Sequence, residues 1–201
     1  MRRVVILALL ALALPIAAWA DGITLVNQFG SLSISVAGIT STGSQLHQFN
    51  AIVAPAGHDL GSVSYSTGAL MSGSIATGGT FSSAGSSFVV KGVGKYGQPK
   101  GLIFNGSFTG PISWTKTSPP GKANVTFLLT GKIQGMLYDG RIVSGTTSQN
   151  IYSNNNQLAL GIGHIKLGTT NLTVPEPGTL GLLGTGLVGI AGMFRRKLIG
   201  T

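Results

Sequence analysis

The side chains able to move protons, hold metals or attack substrates are few in this 201-residue chain. The carboxylates are Asp21, Asp59, Asp139 and Glu176, and no two lie close in sequence. The histidines are His47, His58 and His164, and cysteine is absent. The missing cysteines exclude disulfide frameworks, thiolate metal sites and thiol catalysis. The histidines lack ligand spacing and no H-E-x-x-H occurs, so no metal site is assigned. Calcium needs clustered oxygen ligands, and the acids do not cluster. A Ser-His-Asp hydrolase would have to use His58 with Asp59 or Asp139, and there is no G-x-S-x-G elbow. A two-carboxylate glycosidase would have to pair Asp59 with Asp139. No catalytic residue is assigned on this basis, and the chain is expected not to be an enzyme.

Two constellations could bind rather than catalyse. Gly92-Val93-Gly94-Lys95-Tyr96-Gly97 spells G-x-G-x-x-G after an apolar run. In a dinucleotide site those glycines bring a helix N-terminus to a pyrophosphate. Here Gln98-Pro99 stands where the helix should run, and no acid follows at the ribose-binding distance. No cofactor is therefore expected. The same stretch carries Lys91, Lys95 and Lys100 around Tyr96, a cationic loop with one stacking ring. It suits an acidic polysaccharide, bound through charge and weakened by salt. Trp114 shares a strand face with Ile112, which places it in a core rather than on a sugar platform. Asn105, Asn124 and Asn171 stand in N-x-[ST] sequons, the last in the expected stalk before the tail.

The elements that must position these residues are read from periodicity. Ser31-Leu32-Ser33-Ile34-Ser35-Val36 alternates polar and apolar with period two. Similar runs occupy residues 46–50, 62–65, 87–93, 102–108, 112–115, 124–129, 132–138, 141–147 and 158–167, bounded by Gly, Pro, Asn or Ser. Asp139-Gly140 is a hairpin signal, and residues 119–121 and 154–156 read as further turns. Residues 66–87, rich in Ser, Gly, Thr and Ala, fit either a weakly specified strand pair or a mobile loop. No helical stripe appears between residues 21 and 174. The expectation is an all-β domain, an antiparallel β-sandwich or barrel of about ten short strands.

Both ends differ from this body. Arg2 and Arg3 precede an apolar run at residues 4–14, Pro15 breaks it, and Ala18-Trp19-Ala20 fits a small-x-small cleavage site. This is the pattern of a secretory signal peptide cut after Ala20, and the run is too short to span a bilayer. At the other end, Val174-Pro175-Glu176-Pro177 is followed by the uncharged run 179–194 and by Arg195-Arg196-Lys197. Residues 177–194 are long enough to cross a membrane as one helix, with the basic end cytoplasmic. The expected organisation is 1–20 signal peptide, 21–173 secreted all-β domain and 174–201 tail.

The tail closely resembles the PEP-CTERM sorting tail of Gram-negative bacteria, a family also labelled ice-binding protein C-terminal domain. The resemblance rests on Val174, Pro175, Glu176 and Pro177, the short Gly-rich span, and Arg195, Arg196 and Lys197. It does not extend to the body. It implies recognition by an exosortase, a membrane-embedded processing enzyme, cutting near the tripeptide. It also implies a membrane-anchored stage on the periplasmic side, then delivery to the cell surface or an exopolysaccharide matrix. The resulting expectation is a non-catalytic structural or interaction protein of a biofilm-type matrix. A secreted carbohydrate-binding module is the alternative, and a secreted hydrolase a weaker one. Nucleic acid is not an expected partner, because export separates the chain from it and aromatics are only 7% of residues.

Overall fold

Period-two alternation buries one face of each strand, and that face must pack against a second sheet or be enclosed by closure of its own sheet. The computed structural model describes residues 22–174, in which thirteen strands and one short helix form a single unit. The strands are β1 (Gly22–Gln28), β2 (Ser31–Ser35), β3 (Gly38–Phe49), β4 (Ile52–Val53), β5 (Gly61–Ser66), β6 (Leu70–Ser74) and β7 (Gly78–Phe81). They continue as β8 (Ser87–Val93), β9 (Lys100–Phe108), β10 (Ile112–Lys116), β11 (Asn124–Leu137), β12 (Ile142–Asn154) and β13 (Ile162–Thr173). Helix α1 (Asn155–Ala159) lies between β12 and β13.

The pairings β2–β3–β5–β8–β9–β11–β12–β13 return to β2, so eight strands close an antiparallel barrel. Chain neighbours pair throughout this circuit, the up-and-down arrangement that leaves no free edge in the wall. The expected alternatives therefore resolve to a barrel rather than a sandwich. β1 and β2 act as one bent strand. Gly22 pairs Thr173 and Asn27 pairs Gly168, and the same register resumes with Ser31 opposite His164. The bend falls at Phe29 and Gly30, both at positive φ (61° and 91°). A side chain at Gly30 would meet the backbone of Ser44 at 2.6 Å, so the bend needs glycine there.

Several expectations change. The strands are not uniformly short: β3, β11, β12 and β13 run 12 to 14 residues. The runs 124–129 and 132–138 are one strand, because Gly131 is compatible with extended backbone and β12 pairs both halves. Residues 66–87 contain the strand pair β6–β7, which adds to β10 beside the barrel. The expected turn at 154–156 and the start of the run 158–167 are instead α1. Asn154 caps it, its Oδ1 accepting the Gln157 N–H at 2.7 Å. Asn171 is not in a stalk: it lies in β13, paired on both sides, and Thr24 Oγ1 donates to its Oδ1 at 3.2 Å.

Side chains fill the interior, as an eight-stranded barrel permits. One aromatic group joins Tyr65, Phe88, Phe104 and Phe108, with centroids 5.9–6.4 Å apart. A second stacks Trp114 on Phe127 at 4.3 Å with Phe81 edge-on. Each such ring contributes about 1.5–3 kcal/mol through burial, and each pair adds about 0.5–1.5 kcal/mol. Alternation on β11 turns Val125, Phe127, Leu129, Ile133 and Leu137 to the interior, and on β12 Val143 and Ile151, with Thr147, Gln149 and Ser153 buried between and beyond them.

The barrel has two distinct ends. One carries Gly22, Val174, the 50–60 connection, the 94–99 turn and the 138–141 turn. The other carries the β2–β3 turn, the β6–β7 addition and α1. Among the described residues no helix is long and apolar enough to cross a membrane. The expected tail helix, with Pro175, Glu176, Pro177, Arg195, Arg196 and Lys197, lies outside the described residues, as do Ala18 and Ala20.

Candidate functional site

The cationic loop is a hairpin. Gly92 pairs Gly101 and Val93 pairs Lys100, so the G-x-G-x-x-G run turns β8 into β9. Strand–turn–strand replaces the strand–turn–helix that a dinucleotide site requires. Gln98 holds the turn: its Nε2 donates to Leu60 O at 2.8 Å, and its Oε1 accepts the Tyr96 N–H at 3.0 Å. Lys91 and Val93 alternate onto the outer face, and the register puts Lys100 and Leu102 beside them. Lys95 reaches over the Tyr96 ring, its Nζ 5.5 Å from the centroid. Tyr96 packs partly into the core and faces His58, with ring centroids 6.0 Å apart. The hairpin thus presents three exposed ammonium groups beside one half-buried ring.

Arg141 adds a cation at the same end. Its Nη2 meets Asp139 Oδ2 at 2.7 Å and its backbone N–H donates to Asp139 Oδ1, closing the turn from β11 to β12. The guanidinium and that N–H hold the Asp139 carboxyl below its usual range. This carboxylate is thus engaged in the turn that the Asp139-Gly140 sequence signals.

The remaining polar residues are dispersed. His47 lies on β3, His58 in the loop after β4, and His164 on β13 against Tyr152 at 5.3 Å. Asp59 follows His58 in that loop and is half-buried. Among the described residues no three of His, Asp or Glu gather into a metal-binding group. A surface groove of about 560 Å³ is lined by Thr109, Thr130, Lys132 and Ser148, and another of about 430 Å³ by Leu102, Asn105, Met136 and Ile142. Neither lining includes a histidine or a carboxylate. Trp114 is fully buried and donates its indole N–H to Ile75 O at 2.9 Å. It takes its core position, and no sugar reaches it.

Sequence reasoning missed a polar cluster inside the barrel. Asn27, Ser44, Thr147, Gln149 and Thr170 are all buried. Asn27 Nδ2 donates to Ser44 Oγ at 2.8 Å and to Gln149 Oε1 at 3.0 Å. Gln149 Nε2 donates to Thr147 Oγ1 at 2.9 Å, and Thr147 meets Thr170 at 2.8 Å. Each sits where alternation calls for an apolar residue, and that break in pattern was the available signal. The groups satisfy one another, so the cluster joins strands and leaves no site open.

The last strand leads into the tail. Thr173 ends β13, and Val174 is buried against the core. No curated protein and no solved structure matches the chain. The PEP-CTERM protein-sorting motif family matches residues 173–197, starting on the final strand residue. That motif indicates export and a C-terminal sorting signal directed to an exosortase-type processing enzyme. The chain carries a PEP-CTERM protein-sorting motif at its C-terminus.

Proposed function

We propose that this is a non-catalytic β-barrel carried by its tail to the cell surface or the exopolysaccharide matrix. The observation that supports this reading most is the sorting motif at residues 173–197, which begins on the final residue of the last barrel strand. After processing, the barrel would act by position and by many weak contacts through its polar outer wall. Deleting residues 175–201 should leave a folded barrel that fails to reach its surface location. Unchanged location on cell fractionation would remove the sorting role.

A second reading is favoured by the hairpin of Lys91, Lys95 and Lys100 beside Tyr96. Three ammonium groups on one hairpin suit the carboxylates or sulfates of an acidic polysaccharide. Saturable binding to one such polymer, stronger than to a neutral polymer of the same length, is the expected result. Equal binding to both polymers would contradict it.

A further inference from the structure

The barrel end at which the chain enters and leaves bears apolar side chains that the core does not use. Met136 lies opposite Ile142 across the β11–β12 hairpin, and both are more than half exposed. Leu102 joins them around one shallow groove, and exposed Tyr138 extends the patch to the rim. Val93 and Lys100 flank it on the next hairpin, with Lys91 paired to Leu102 and Lys95 in the turn beyond.

Connectivity limits how far this end can stand from the tail. Ser144 pairs Thr173, and Thr173 pairs Gly22. Ile142 is two residues nearer the rim on the same strand, beyond the point where Thr173 ends β13. The uncharged run starts at Thr179, so an extended chain from Val174 reaches at most about 18 Å before it. A headgroup layer occupies roughly 5–8 Å on each side of the hydrocarbon. A tail seated in a bilayer therefore keeps Val174 within roughly a nanometre of the lipid surface, which gives the end around it a high effective concentration there. The opposite end also exposes apolar groups, Val36 and Leu160, but has no such tether.

We propose that, before the tail is cut, this rim rests on the bilayer. Leu102, Met136, Tyr138 and Ile142 enter the headgroup layer, and Lys100 meets its anionic phosphates. Tyrosine suits that depth, with an apolar ring and a wet hydroxyl, and lysine is drawn to anionic lipid. The inference rests on reading the tail as a membrane-anchored sorting signal. Tail removal ends the tethering.

The chain has no cysteine, so single cysteines carry an environment-sensitive dye at chosen sites. The full chain is labelled at Ile142→Cys, Leu160→Cys or, as a control for insertion, Leu187→Cys. It is reconstituted in vesicles of phosphatidylethanolamine and phosphatidylglycerol containing a lipid-borne quencher. The expected result is quenching at residues 187 and 142 and severalfold less at 160. Adding Leu102→Ser and Met136→Ser to the residue-142 label should relieve its quenching while that at 187 persists. Quenching at 187 with equal, weak quenching at 142 and 160 would overturn docking and leave the sorting reading intact. Absence of quenching at 187 would overturn both.

Discussion

The carboxamides of Asn27 and Gln149 bond to each other in both directions, at 3.0 and 3.2 Å, across Gly168. The three residues stand in register on β1, β13 and β12. A side chain at Gly168 would collide with both amide oxygens. The glycine is what lets two neighbouring side chains meet over the strand between them, at the seam where the last strand closes on the first.

Gly168→Ala should therefore open this pair and strain the seam. The expected loss is about 2–4 kcal/mol, from overpacking and from buried amides left unpaired. Urea unfolding followed by circular dichroism measures it. A change within about 0.5 kcal/mol would show that the seam tolerates the methyl group.

Tyr65 makes the opposite prediction. Its hydroxyl is buried and has no hydrogen-bond partner among the described residues. Tyr65→Phe should stabilise the barrel by about 1 kcal/mol, by removing an unsatisfied group from between Phe88 and Phe108. Burial also pushes the phenol far above its ordinary value of 10.0. The folded state thus keeps the proton while the unfolded chain releases it above pH 10. Stability is full below that pH and falls as pH rises through and beyond it, so the advantage of Tyr65→Phe should grow there. A pH-independent difference would contradict this origin.

Trp114 serves as a core reporter. Once residues 1–20 are removed it is the only tryptophan, since the other is Trp19. Its emission should be blue-shifted and inaccessible to iodide, and Trp114→Ala should cost about 3–5 kcal/mol. A stable Trp114→Ala variant that loses only sugar binding would contradict the core assignment.

The all-β class and most strands were legible because alternation is a local signal, as at Leu32 and Ile34. Asp139-Gly140 was legible for the same reason, since the turn is decided by the residues within it. Closure was not. The register of Asn27 with Gly168 and Gln149 depends on residues more than a hundred positions apart, and no local pattern encodes it. β1 escaped notice because Asn27 puts a polar side chain on its inward face. α1 escaped because a five-residue helix is too short to show periodicity. The tail was legible as a contiguous motif. The rim patch was not, because Leu102, Met136 and Ile142 meet only through strand pairing.

The hairpin lysines give a graded prediction. Replacing Lys91, Lys95 and Lys100 by Gln should abolish binding to an acidic polysaccharide without changing the melting temperature. Binding by the parent protein should fall steadily with added salt. Salt-insensitive binding that survives all three substitutions would place the contact elsewhere on the barrel.

The central claim is that this barrel is exported and then released from its tail. Intact mass of the protein recovered from the native host, together with its cell fraction, tests that most directly. The account predicts a chain starting at Asp21 and ending near Pro175 to Pro177, found outside the cytoplasmic membrane. A mass that retains Arg195, Arg196 and Lys197, confined to the membrane fraction, would contradict it.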